Sequence, residues 1–297
     1  KEAPVHEIVY SGGNLMAKGC LEEFPIPVST PGWDIAPYMT SPYWVTKDPE
    51  TGIRNIGTYR AQIKSPDRTG LYIAKYFRGI AYHWRKCRNL RRPLEAAIII
   101  GSPPNVGYTS VSQLPTDIDE YTIAGGISGE PVELVKCKTV DLEVPKNCEF
   151  VLEGRISKEK ASEGPFLDLT GTIDKVRQQP IIEINCITHR NKPIYQTILA
   201  GRNEHKFLMG MPKEPTIYNE VNKVCQCKDV YITPGGCSWL HAVVQIKKQN
   251  PDDGKKAIAA AFEGHKSLKH CVIVDEDINI YDPHDVEWAI ATRFQAD

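Results

Sequence analysis

The chain has no apolar run long enough to cross a bilayer: its uninterrupted apolar stretches, such as Ala96 to Ile100, fall well short of the ~20 residues a spanning helix needs. No charged-then-apolar leader opens it, although residue 1 is Lys rather than Met, and an N-terminal segment is expected to precede it. Neither charge sign is in excess. With 36 basic and 37 acidic side chains the formal charge is −1, and without a clustered surplus of Lys and Arg a polyanion-binding surface is not expected. The nine cysteines are odd in number and lack the dense spacing of a secreted disulfide framework, which points to a reducing compartment. These absences lead us to expect a soluble, cytoplasmic protein with no nucleic-acid or membrane partner.

Common motifs are missing too. There is no G-x-G-x-x-G after a strand, no G-x-x-x-x-G-K-[ST], no H-E-x-x-H and no G-x-S-x-G. "DEDINI" at 275 imitates the start of a calcium loop, but Ile280 replaces the required glycine and Val286 stands where a bidentate Glu belongs. The C-x-C of Cys225 and Cys227, with Cys237 beyond, is not the spacing of a structural zinc site and reads as thiols.

What is present is ordinary globular material, 41% hydrophobic and 25% charged, enough for a large core and about two domains. Residues 1–50 are too rich in Pro and Gly for regular helix and read as an extended lead-in. From about 94 onward "EAAIII", "ELVKCKTV", "EFVLEG", "IIEINCIT" and "IYQTILAG" read as strands bounded by Gly, Pro or Asn. "NPDDGKKAIAAAFEG" predicts a helix with Pro251 near its start and Gly264 at its end. A strand at 271–274 and a helix capped by Asp282 follow. The class is mixed α/β, or α+β, with a substantial sheet.

Three features bear on chemistry. "SEGPFLDLTG" places Glu163 and Asp168 on either side of a Gly-Pro turn, as a solvated turn or as two carboxylates folded toward one cavity. In a shared cavity their proton affinities separate, and one carries a proton near neutrality while the other stays ionised. In "RNIGTYR", Asn55 and Arg60 point to opposite faces of a flat strand unless Gly57 introduces a bulge or turn. An Arg meeting Glu163 keeps that carboxylate ionised and leaves Asp168 as the better proton donor. Val286, Ile290 and Arg293 share one stripe of the last helix, so Arg293 either meets a buried anion or snorkels at the helix end. The run "RKCRNLRR" from Arg85 to Arg92 is a phosphate grip or a solvated helix face.

Five ordered blocks, "PETGIRNIGTYR" at 49–60, "DEYTIAGGISGEPVELVKCKTVDLEVP" at 119–145, "FVLEGRI" at 150–156, "SEGPFLDLTG" at 162–171 and "VDEDINIYDPHDVEWAIATR" at 274–293, together resemble the UbiD family of prenylated-FMN-dependent reversible decarboxylases, almost end to end. The resemblance implies a central split β-barrel-like flavin-binding domain at 94–270, flanked by helices. Residues 1–93 would carry part of the cofactor and metal site, and 271–297 would lead toward a C-terminal oligomerisation region that is absent. It implies Arg60, Glu163 and Asp168 as catalytic residues, and Asn55 and Glu120 as ligands of Mn2+ or Mg2+, with K+ nearby. Asn55, Thr58, Tyr59, Arg60, Ser110, Ser112 and Arg293 would line the prenylated FMN.

The activity so implied is decarboxylation or carboxylation of an aromatic or heteroaromatic acid through a covalent flavin adduct. CO2 or bicarbonate is the co-substrate, and the chain a homo-oligomer or a subunit of a larger carboxylase complex. Phe77 departs from the family, standing where a metal-binding His is usual, so that His83 or water would complete the shell or the metal would be lost. Leu167 replaces a usual glycine, and Asp168 stands where Glu is common. A non-catalytic subunit and an FMN-dependent reductase are the competing expectations.

Overall fold

The structure, a computed structural model, describes residues 3–73 and 79–295. The chain forms two units, one of residues up to 168 with 172–200 and one of residues 169–171 with 201–297. Expected boundaries at 93 and 270 give way to one near 200, and strand pairing is the reason. The first unit is built on a curled sheet whose strands are β1 (Ile8–Ser11), β2 (Tyr38–Met39), β3 (Tyr43–Lys47), β4 (Arg54–Thr58), β5 (Ala61–Ser65), β6 (Arg68–Gly70) and β7 (Leu94–Ile100). Two short strands, β8 (Leu134–Lys136) and β9 (Glu143–Pro145), pair with each other before the long β10 (Phe150–Glu163); β11 (Phe166–Leu167) and β12 (Ile173–Asp174) form a hairpin, and β13 (Arg177–His189) returns to the sheet. The order is β2-β5-β6-β13-β10-β7-β3-β4, with β1 on β13. Strands from the first 93 residues thus complete the sheet that the middle segment was expected to form alone.

The unbroken apolar run in β7 follows from its place in the sheet, because both faces are covered and both must be apolar. Ala96, Ile98 and Ile100 face one core with Trp44, Leu152 and Ile182, where α2 (Gly79–Asn89) adds Ile80 and Trp84. Ala97 and Ile99 face the other with Val45, Ile56 and Val151, where α3 (Pro104–Val111) and α4 (Glu120–Ser128) add Val106, Tyr121 and Ala124.

The lead-in holds strands β1 to β3 and the short helix α1 (Gly13–Ala17), so it is more regular than its prolines suggest. "ELVKCKTV" is a strand only over Leu134–Lys136, because the Lys138 and Thr139 amides donate instead to the buried Glu153 carboxylate at 2.8 and 2.6 Å. "IYQTILAG" forms no strand. The amide and carbonyl of Ile198 are both served by the Thr40 hydroxyl, at 3.2 and 2.7 Å, in place of a ladder.

The second unit contains α5 (Asn203–Gly210) and α6 (Glu214–Asn222), then a sheet of β14 (Gln226–Ile232), β15 (His241–Lys247) and β16 (His270–Asp275). β15 and β16 run parallel, joined by the expected helix α7 (Asp253–Gly264). The last helix, α8 (Pro283–Arg293), is capped by Asp282, whose carboxylate accepts from the His284 amide. Among the described residues no helix is long and apolar enough to cross a membrane.

Candidate active site

Glu163 ends β10, and Gly164 leaves the strand with φ +97°, where a Cβ would stand 3.0 Å from the Lys175 carbonyl. The hairpin that follows pairs Phe166 with Asp174 and Leu167 with Ile173, and is closed by the Asp168 amide on the Thr172 carbonyl at 3.0 Å. Glu163 sits opposite Arg177 in the β10–β13 ladder. Three carboxylates, Glu163, Asp168 and Asp174, therefore converge where the two long strands meet the hairpin.

Arg60 enters from the two-residue link between β4 and β5, beyond the end of the strand, while Gly57 itself pairs with Trp44 in a regular ladder, so no bulge at Gly57 brings Arg60 and Asn55 to their places. A Cβ on Gly57 would stand 2.4 Å from the Tyr59 ring, so a larger residue there displaces that ring. Arg60 donates through Nε and Nη2 to the two oxygens of Glu163 at 2.8 and 3.0 Å, through Nη2 to Asp174 at 3.0 Å, and through Nη1 to Asp168 at 3.3 Å. Its guanidinium lies 3.9 Å from the centre of the Tyr72 ring and 4.4 Å from that of Phe166. Burial works against the charge of Arg60, but the Glu163 hydrogen bonds outweigh it and raise its proton affinity.

Glu163 is fully buried, and its Oε1 also accepts from the Tyr38 hydroxyl at 3.3 Å. The Asp168 side chain is 33% exposed and that of Asp174 15%. Asp174 was not anticipated. Burial pushes its proton affinity up, but hydrogen bonds from Arg177, at 2.6 Å, and from Arg60 hold it below the ordinary carboxylate value.

A second cluster forms where Asn55, five positions before Arg60, meets Glu120 of α4. Asn55 Nδ2 donates to Glu120 at 2.7 Å, and the Ile56 amide donates to the other Glu120 oxygen at 2.9 Å. Glu120, at the first turn of α4, is 6% exposed, and burial raises its proton affinity because those partners are neutral N–H groups. Asn55 Oδ1 is buried without a partner, 2.6 Å from where a Cβ on Gly79 would stand. A buried carboxylate served only by neutral donors beside an orphaned amide oxygen suits a hard divalent cation, which binds through oxygen. Among the described residues no group of three or more His, Cys, Asp or Glu is placed to hold a metal ion. Phe77, the departure at the family's His position, lies outside the described residues.

His83 does not turn toward this pair. Its Nδ1 shares a proton with the Thr46 hydroxyl at 2.9 Å, its Nε2 lies 4.0 Å from Asp48, and burial pulls its pKa down to about 4. The unfolded chain takes up a proton near pH 6.5 that the folded chain refuses until about 4. The stability His83 contributes is thus complete above 6.5 and lost as pH falls through that window. We expect unfolding free energy to drop by roughly 3 kcal/mol more between those limits in the wild type than in His83→Gln. Denaturant titrations across the window measure this, and equal slopes in the two proteins would refute it.

Thr58 and Ser110 join hydroxyls at 2.7 Å, while Ser112 caps α3 and donates to the Tyr108 carbonyl. The Tyr59 carbonyl accepts from Trp44 Nε1 at 2.8 Å, so its backbone is anchored. Arg293 follows the helix-end reading and not the buried-anion one. The buried stripe of α8 ends at Ala289, Ile290 is 43% exposed, and Arg293 pairs bidentately with Asp277 at 2.9 and 2.6 Å within the second unit.

The first unit is thus a curled-sheet α+β domain that sets a buried arginine among three carboxylates and, through Asn55 of β4 and Glu120 of α4, a cation-suited oxygen pair: a candidate acid/base site. Residues 1–203 match the family model for the 3-octaprenyl-4-hydroxybenzoate carboxy-lyase Rift-related domain, and residues 206–297 match that for the C-terminal domain of the same carboxy-lyases. The chain belongs to the UbiD family.

It is 40% identical over 296 residues to anhydromevalonate phosphate decarboxylase of Methanothermobacter thermautotrophicus, covering 99% of this chain and 69% of that one. To the protein of the same name from Methanosarcina mazei it is 43% identical over 265 residues, covering 89% and 61%. An evolved dimeric form of the UbiD-class enzyme HmfF from Pelotomaculum thermopropionicum, solved with prFMN, matches with TM-score 0.92 at 38% identity, covering 99% of this chain and 67% of that chain. The vanillic acid decarboxylase of Sedimentibacter hydroxybenzoicus matches at 0.86 and 28%, covering 99% and 63%. The chain thus spans between 61% and 69% of these relatives' lengths.

Proposed function

We propose that this chain carries the acid/base half of a prenylated-FMN-dependent, reversible decarboxylase. The observation that carries the reading is the division of labour around Arg60. Glu163 is fully buried, gripped on both oxygens and held by Tyr38, while Asp168 is a third exposed on a looser 3.3 Å contact. A fixed carboxylate orients, and an accessible one moves protons. Four of the five guanidinium N–H donors are used, leaving one on Nη1 for a substrate carboxylate.

The bound prenylated flavin would supply the electron sink that no side chain offers when CO2 leaves an sp2 carbon. Arg60 then holds the departing carboxylate, Glu163 and Asp174 fix Arg60, and Asp168 delivers the proton to the carbon that loses CO2. In the carboxylation direction Asp168 takes that proton back. Asn55 and Glu120 would hold a Mn2+ or Mg2+ ion for the cofactor phosphate, with Thr58, Ser110 and Ser112 offering hydroxyls beside it.

The substrate is an unsaturated acid. A non-aromatic acid of the anhydromevalonate phosphate type has the support of relatives 36–43% identical. An aromatic acid, the expectation from the resemblance alone, has the support of structures 26–28% identical that act on hydroxylated benzoic acids by name. The first is our reading, and a cytoplasmic homo-oligomer is the form we propose. Protein purified anaerobically from a host that makes prenylated FMN is expected to release that flavin near stoichiometry on denaturation and to decarboxylate anhydromevalonate phosphate in preference to 3,4-dihydroxybenzoate. A folded sample that releases no flavin would instead favour the non-catalytic subunit.

A further inference from the structure

His189 is the last residue of β13, twelve positions from Arg177, a path of roughly 40 Å along the strand at about 3.3 Å per residue. There it forms a wall of a cavity of about 390 Å³, which Tyr10, Phe24, Phe150 and Tyr195 also line. That volume is in the range of small-molecule sites. The rings pack on one another mostly edge to face, Tyr10 with His189 at 5.3 Å, Phe24 with Phe150 at 5.1 Å and Phe150 with Tyr195 at 5.8 Å, while Phe150 and His189 lie at 33° with centres 5.7 Å apart, which makes the walls of the cavity aromatic.

Two of the lining side chains each carry a buried polar atom without a partner. His189 is 7% exposed, and its Nδ1 donates to the Arg190 carbonyl at 2.7 Å, which makes Nε2 of the neutral ring an acceptor. That Nε2 is buried without a partner, as is the Tyr195 hydroxyl. Among the described residues Glu23 is the one carboxylate lining the cavity and no Lys or Arg lines it, and Glu23 accepts a hydrogen bond from the Tyr10 phenol at 3.4 Å. Burial and the Glu23 charge both push the proton affinity of that phenol up.

Electron-rich ring faces, a carboxylate lacking a cation and a buried acceptor lacking a donor form a set that repels anions and suits a positively charged donor. We propose that this cavity binds a small organic ammonium, with its N–H on His189 Nε2, its charge matched by Glu23 and its apolar body against the four rings. The site shares no residue with the Arg60 cluster, so its fate is independent of the decarboxylase reading.

Isothermal titration of the chain with benzylammonium, benzyl alcohol, benzoate and Nα-acetyl-lysine methylamide tests it. Benzylammonium is expected to bind about tenfold or more tightly than benzyl alcohol, benzoate not at all, and Glu23→Gln to remove that tenfold preference without moving the melting temperature, since Glu23 is exposed. On binding, the 15N resonance of His189 Nε2 is expected to shift while that of Nδ1 holds. Binding of the lysine amide as well identifies a protein side chain as the ligand's source, and binding of benzylammonium without it identifies a free amine. Failure of benzylammonium to bind, or binding of the alcohol equally well to wild type and Glu23→Gln, overturns the proposal.

Discussion

Replacing Arg60 with Met is expected to lower the free energy of unfolding by about 3–5 kcal/mol and to abolish decarboxylation, because it strands buried carboxylates that only this cation serves together. Glu163 has no exposure, and both its oxygens rest on Arg60; among the described residues the one further side chain donating to it is that of Tyr38, at 3.3 Å. Left alone, Glu163 must take up a proton or admit water, and either repacks the junction of β10 with the hairpin. Asp174 suffers less, since Arg177 holds it at 2.6 Å. Arg60→Lys separates charge from geometry. A single ammonium cannot bind two Glu163 oxygens and two other carboxylates from one rigid fork, so about half the stability loss should return while activity stays low. Denaturant unfolding of both variants, beside decarboxylation assays, checks the pair. If Arg60→Met unfolds within 1 kcal/mol of wild type, the buried network is not what holds this corner together.

How far such a site can be read in advance is shown by its own members. Glu163 and Asp168 announce themselves because a Gly-Pro pair between two acids forces a turn, and a turn fixes local geometry without reference to the rest of the chain. Gly57 gives no such signal, since it lies in a regular ladder opposite Trp44, and Arg60 is placed by the strand's end two residues earlier. Asp174 belongs to the same cluster yet carries no local mark: it reaches Arg60 because Phe166 pairs with Asp174 across a hairpin whose strands are two residues each, and register at that length is not written in alternation.

The boundary near residue 200 was missed on the same ground. Pairing of Tyr43 with Ile99, and of Thr69 with Ile182, ties the first 93 residues into the main sheet across dozens of positions, which periodicity along the chain does not report. "IYQTILAG" fails in the opposite direction. It has strand composition, but the Thr40 hydroxyl, distant in sequence, satisfies Ile198 before any strand does. Arg293 was placed on an apolar stripe by helical spacing alone, and spacing does not tell how far along a helix its partner surface extends.

Asp168→Asn is expected to cut turnover by about 10²–10⁴-fold while leaving unfolding free energy within about 0.5 kcal/mol of wild type. The asymmetry follows from exposure. A side chain one-third open to solvent on a 3.3 Å contact has water nearby to replace what the amide no longer supplies, and the backbone bond from Asp168 to Thr172 that shapes the hairpin survives the change. What the amide cannot do is carry a proton. Loss of CO2 leaves electrons on carbon that only a donor at that carbon can quench, so proton delivery, and with it exchange of deuterium from solvent into substrate or product, should fall together with turnover. Asp168→Glu, which keeps an acid at that position, should recover most of both.

Glu163→Gln provides the contrast. It removes a locked carboxylate rather than a mobile acid, so it should weaken the fold as well as the reaction, and Asp168→Asn should not. If Asp168→Asn keeps full turnover and full deuterium exchange in a folded protein, the proton comes from elsewhere, and Asp174, 3.0 Å from the same guanidinium, is the carboxylate left to supply it.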